Sequence, residues 1–302
     1  MGEDFEVSTD ELDVTRWPWP HFPRVSDPSV GVDQTTYDNL VRYTKYASGA
    51  YQVLCPRPMG NTLVAQFMDL VTSTQGFIAR DDQREELVIA FRGTTDVTSI
   101  LVDTSIILVP LKGPGLPPLD SSLIARSAEP RVHIGFLIAF QTIAQTVLDK
   151  LELQLQAHPS YTIVVCGHSL GGAIASIASI AINYTFPGKS ISLYTFGQPR
   201  TGNPAFAELV EGAVDVENVY RCKLSAVSMM HGVPTMIPAT FGYQHFATEY
   251  WEFTELGPPK NVKRCKGGED PDGSGSVPCT GVNPAHWVYF RQPIASDPTV
   301  CL

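Results

Sequence analysis

The chain has 302 residues, 43% of them hydrophobic and 17% charged, which is enough to bury a sizeable core in one large α/β domain. A formal net charge of −10, with no cluster of Lys and Arg, argues against nucleic acid or anionic membrane as a partner, because neutralising phosphates takes concentrated positive charge. The longest apolar runs, near Ile106–Leu111 and over 173–182 (AIASIASIAI), are shorter than the roughly 20 residues of a membrane span, so a soluble protein is expected.

Residues 1–32 are an acidic N-terminal extension, expected to be partly disordered, and 33–302 form the folded domain. The opening MGEDFEVSTDELDV lacks the basic and then apolar regions of a secretory signal. Glu6 stands where myristoylation wants Ser or Thr. Over 33–52 the apolar residues Tyr37, Leu40, Val41, Tyr43, Tyr46 and Ala47 fall at helical spacing. GFIAR (76–80) and LVIAFRG (87–93) read as adjacent strands around the turn DDQRE. A helix over 135–157 ends at His158-Pro159. It leads into YTIVVC (161–166), an apolar, β-branched run of the kind buried on both faces of a parallel sheet.

After GHSLGG comes a helix of small residues to about Tyr184, then a strand at 191–196, a helix at 204–213 and a strand at 216–223. A last strand, ATEYWEF (247–253), is expected near an edge, and the Pro/Gly-rich pieces at 113–120 and 267–276 read as surface loops. This alternation predicts an α/β fold with a central, mostly parallel sheet and helices on both faces.

None of the six cysteines forms a C-x-x-C pair, so no metal site is expected. Cys265 and Cys279 bracket a Gly/Asp/Ser loop with little apolar content, and Cys301 sits at a chain end that needs a tether. Bridges Cys265–Cys279 and Cys55–Cys301 are therefore expected, with Cys166 and Cys222 as buried thiols. Disulfides imply an oxidising compartment, and the sequon Asn183-Tyr184-Thr185 leans the same way. The absent signal leaves a cytoplasmic location as the alternative.

The chemistry centres on Gly167-His168-Ser169-Leu170-Gly171, a G-x-S-x-G between a buried strand and a helix. Glycine at both flanks lets the turn close tightly enough to present the serine hydroxyl beside a helix N-terminus, where amides and dipole favour developing negative charge. Serine needs a base. Of seven histidines, His168 adjoins the nucleophile, but neighbouring side chains on a tight turn point apart. His286, in NPAHWVYF near the C-terminus, suits an elbow enzyme, in which the base comes last in chain order. Two donors complete an oxyanion hole: the Leu170 amide, and Thr94 in FRGTTD (91–96).

GHSLGG, FRGTTD, VHIGF (132–136), TFGQPRTGNPAF (195–206), FGYQHFATEYW (241–251) and AHWVYF (285–290) together resemble the fungal class 3 lipases, which include feruloyl esterases. The match runs from about Asp33 to Leu302. The resemblance implies an α/β-hydrolase-like fold, a secreted serine esterase needing no cofactor, Ser169 as nucleophile, His286 as base, and Thr94 and Leu170 as oxyanion donors. It also implies a short lid over 96–103 whose Val97, Ile100 and Leu101 face lipid. A monomer acting on acylglycerol or other esters at a lipid–water interface is expected.

One stretch departs from the family pattern. The catalytic aspartate should precede Gly232-Val233-Pro234, but that position holds His231, behind an unfamiliar and longer KLSAVSMMH. A histidine cannot stabilise the imidazolium of His286 as a carboxylate does. Glu211, Asp215 and Glu217 lie at the wrong end of the preceding strand, while Asp270 and Asp272, in the cysteine-bracketed loop, could reach inward but read more readily as a solvated acidic turn. The expectation is a lipase fold with weakened hydrolysis, the alternatives being a feruloyl or other carboxylesterase and a catalytically silent lipid-binding protein. KLSAVSMMH also reads as an alternative splice junction, which sequencing the transcript across it would decide.

Overall fold

The computed structural model describes residues 30–94, 106–118, 129–224, 232–253, 258–276, 284–295 and 297–302. Helix α1 (Gln34–Gly49) starts where Asp33 accepts hydrogen bonds from the Thr36 amide and hydroxyl, a side-chain N-cap. It buries Tyr37, Leu40, Tyr43, Tyr46 and Ala47, the stripe read from their spacing. Strands β1 (Thr62–Asp69), β2 (Thr74–Asp81) and β3 (Glu86–Phe91) then form an antiparallel meander.

A two-stranded ladder, β4 (Leu108–Pro110) with β5 (Arg131–His133), leads into α2 (Ile134–Ala157). Next come β6 (Thr162–His168), α3 (Leu170–Thr185), β7 (Ile191–Phe196), α4 (Pro204–Ala213) and β8 (Val219–Leu224). β9 (Glu249–Glu252) and β10 (Val262–Arg264) follow, and a small ladder of β11 (Val288–Tyr289) and β12 (Gln292–Pro293) ends the chain.

Among the described residues the main sheet has eight strands in the order β1-β2-β3-β6-β7-β8-β9-β10. Its central members β3, β6, β7, β8 and β9 are parallel. Parallel strands need crossover helices and are covered on both faces. Here α2 and α3 bury one face with Phe136, Phe140, Ile174 and Ile177, while α1 and the C-terminal segment bury the other with Tyr43, Tyr46, Tyr289 and Phe290. The alanines and glycines of α3 let it lie close to the sheet, and all of Leu170–Ile182 is buried.

The expected α/β architecture is therefore present, with three differences. β1 has no counterpart in the sequence reading; as an edge strand its residues are half exposed, so the alternating signal is blurred. The strand expected at 216–223 begins at Val219, after a 3₁₀ turn at Val216–Asn218 capped by Asp215. The strand expected near the edge, 247–253, is confined to β9, and the edge belongs to β10, three residues too short to be read from sequence. By length and composition α2 could cross a membrane. Its apolar side chains, Ile143, Val147 and Leu151 among them, are spent in the core.

Cys55 and Cys301 are joined as expected, tying the segment after α1 to the C-terminal turn, and Cys166 and Cys222 are buried free thiols. The Cys265–Cys279 bridge is not formed: Cys265 is a buried free thiol with its Sγ 3.7 Å from Glu249 Oε1, and Cys279 lies outside the described residues.

Candidate active site

The parallel strands end together at one edge of the sheet, with Phe91, Gly167 and Thr195 in register across β3, β6 and β7. Ser169 leaves that edge with φ 56° and ψ −125° and serves as the N-cap of α3. A non-glycine residue with positive φ costs on the order of 1–3 kcal/mol, and the surroundings must hold it there. Two glycines make this possible. A Cβ at Gly167 would overlap the Gly171 carbonyl, and one at Gly171 would overlap the Phe91 carbonyl. The Ser169 amide donates to Phe196 O (2.8 Å), pinning the turn to the neighbouring strand. The hydroxyl is buried, and among the described residues Ser169 Oγ has no hydrogen-bond partner.

Leu170 opens α3, so its amide is among the first-turn donors that no intrahelical carbonyl can reach. Thr94, half-buried, follows Gly93. A Cβ on Gly93 would lie 2.5 Å from both the His168 carbonyl and Tyr51 Oη and 2.9 Å from Ser169 Cβ. Gly93, at the start of the loop after β3, is thus packed against the serine turn. The lid residues Val97, Ile100 and Leu101 lie outside the described residues.

His286 is fully buried on the 3₁₀ turn Pro284–Trp287, its ring centroid 4.4 Å from that of His168. His168 is the brace between the two candidate catalytic residues. Its Nε2 is 2.7 Å from the His286 carbonyl, which can only accept, so Nε2 carries the proton and Nδ1 accepts from the Tyr51 hydroxyl at 2.6 Å. Tyr51 Oη also lies against Gly93 of the loop after β3. Burial pushes the His168 imidazole down to about 3, so this neutral tautomer persists. Tyr51 and His168 therefore link the start of the loop after β3 to the serine turn and the histidine segment.

The expected position of the triad acid, His231, lies outside the described residues. The acids set aside in the sequence are occupied elsewhere. Glu211 accepts from Ala247 N, Glu217 pairs with Arg264, and Asp270 accepts from Lys266 N and Asp272 N. Glu252 went unnoticed in the sequence. It is buried at the C-terminal end of β9, and its Oε2 accepts from Phe290 N (2.9 Å), four residues past His286. Phe290 and Arg291 both have positive φ, 49° and 64°, so this carboxylate fixes the tight turn that returns the chain after His286. A carboxylate beside the large apolar Tyr250, Trp251 and Phe253 was the available signal. Nothing in the sequence marked Tyr51.

A serine forced into a left-handed turn between a parallel strand and a helix of small residues defines a nucleophile elbow, and with it an α/β-hydrolase. Within that class the chain belongs to the class 3 lipases, a family of carboxylic ester hydrolases. A family profile described as Lipase (class 3) matches residues 88–228. The chain is 26% identical to a secreted alkaline triacylglycerol lipase of Penicillium cyclopium over 258 residues, covering 85% of each. It is 33% identical to a lipase of Rhizomucor miehei over 76% of this chain and 58% of that one. The crystal structure of a triacylglycerol lipase from Penicillium expansum superposes with a TM-score of 0.76 at 25% identity, over 88% of this chain and 97% of that one.

Proposed function

We propose that the chain is a secreted lipase that cleaves acylglycerol esters through Ser169 and His286, with turnover weakened by the loss of the triad acid. The observation that carries this reading is the strained Ser169 turn braced by His168 against the His286 segment. His286 takes the hydroxyl proton as Ser169 Oγ attacks the ester carbonyl. The Leu170 amide and Thr94 hold the oxyanion, and His286 returns the proton to the departing alcohol. Water, deprotonated by the same imidazole, then releases the acid and restores the serine. An extracellular site is supported by the Cys55–Cys301 bridge and by the secreted relative.

The sequence places His231 where the carboxylate belongs, and loss of a triad acid lowers turnover on the order of 10⁴-fold where it has been measured. The same observation favours a second reading, a silent lipid-binding protein. Hydrolysis of a short-chain ester that Ser169→Ala abolishes supports the enzyme, and its absence with lipid binding intact supports the silent form. The decisive variant is His231→Asp in a loop shortened to bring the aspartate up to β8. A gain of at least a hundredfold is expected, and no gain would remove the missing acid as the limiting defect.

A further inference from the structure

We propose that the turn between β1 and β2 is a lipid-docking element that lays Leu70 and Val71 into an uncharged acylglycerol surface beside the catalytic serine. The inference rests on the lipase reading of the site and concerns a different part of the molecule. Leu70 is 83% exposed and Val71 93%, at a turn where Gly, Asn, Asp and Ser are the ordinary occupants. Isolated exposed aliphatics need no explanation, but these two have company. Gln66 Nε2 donates to Val53 O (2.7 Å), holding the segment after α1 against β1, and Val53, Leu54 and Met68 are exposed there as well.

Position gives this surface its meaning. β2 runs antiparallel to β3 with Gly76 opposite Phe91, and β1 pairs Asp69 with Thr74, so the turn projects from the same sheet edge as Ser169. Arg92, next to Gly93 of the oxyanion loop, donates Nη2 to Ser73 O (2.6 Å) and Nη1 to Gln75 Oε1 (3.0 Å). The tip and the site mouth are thereby one rigid piece. The tip itself is also fixed. Asp69 Oδ1 accepts from the amide and hydroxyl of Thr72, each at 2.8 Å, and Thr72 Oγ1 lies 3.2 Å from Thr142 Oγ1 on α2. Side chains displayed on a fixed turn lose little entropy when they dock.

Charge selects the occupant. Residues 58–79 contain no Lys, Arg or Glu, and Asp69 is their one ionisable side chain. The nearest cation, Arg92, already gives Nη1 and Nη2 to Gln75 Oε1 and Ser73 O, and anionic headgroups would meet a chain of net charge −10. An apolar surface of uncharged acylglycerol is complementary. It is also what must lie against the mouth of a site that takes such esters.

The test uses the full chain carrying Ser169→Ala, so that adsorption is measured without turnover. Adsorption to triolein droplets coated with phosphatidylcholine is compared with and without Leu70→Ser/Val71→Ser. Adsorption weakened roughly tenfold or more is expected, with Leu70→Ile/Val71→Leu binding like the parent. On a Ser169 background, hydrolysis of a water-soluble short-chain ester should be unchanged by the same pair. Loss of adsorption in a chain that hydrolyses nothing would sink the enzyme reading and leave the docking element standing. Undiminished adsorption, tighter binding to phosphatidylglycerol than to phosphatidylcholine surfaces, or a shift in elution volume showing a second copy on the tip would each overturn it.

Discussion

Tyr51 shows how a single hydroxyl can hold an active site together. It donates to His168 Nδ1 at 2.6 Å, so Tyr51→Phe would leave a buried imidazole lone pair unsatisfied. Such a group costs about 1–3 kcal/mol. The variant is expected to lower the urea midpoint accordingly and to reduce kcat on a soluble ester more than it raises KM. It loosens His168 and, through it, the His286 segment without touching substrate. Gly171→Ala is expected to be harsher. Its methyl would collide with the Phe91 carbonyl, backbone that cannot yield without moving β3. Circular dichroism should show partial unfolding, and little soluble protein should be recovered.

At the scale of elements, the parts legible in the sequence were those with a strong local period or a strict steric requirement. The buried run of β6, the small-residue helix α3 and the two glycines flanking Ser169 announce themselves, because each is demanded by contacts within a few residues. β1 and β10 do not, since edge strands bury too little to impose a pattern. Tyr51 was illegible because its role depends on α1 ending beside β6, a contact across 117 residues. Glu252 was overlooked because its partner, the Phe290 amide, is a backbone group. The Cys55–Cys301 bridge closes over the whole domain, with the two cysteines 246 residues apart. It joins α1 to the turn that follows the His286 segment. Cys55→Ser/Cys301→Ser is expected to lose about 2–5 kcal/mol in urea unfolding. Ester turnover should fall at temperatures below global unfolding, because the C-terminal segment is released first.

Across the whole molecule, burial of neutral histidines should make stability strongly dependent on pH. Burial holds His133 down to about 4 and His168 down to about 3. Burial, reinforced by the nearby Arg221 and Arg200, holds His245 well below the ordinary imidazole range. In the unfolded chain each titrates near 6.5. Above that value both states are neutral and the folded state keeps its full stability. Below it the unfolded chain takes up protons that the folded state refuses, so stability falls until the folded values are reached. At pH 5 His133 and His168 each account for about 2 kcal/mol, a large share for a fold worth about 5–15 kcal/mol in all, and His245 acts in the same sense. Glu249 and Glu269, whose carboxyls are lowered, add to the loss only under more acidic conditions, while Glu86, raised by burial, acts in the opposite sense. Between pH 7 and 5 the histidines therefore dominate, and urea midpoints should fall steeply over that interval while changing little between pH 7 and 8. An equal midpoint at pH 5 and pH 8 would mean that these imidazoles are not held neutral by the fold.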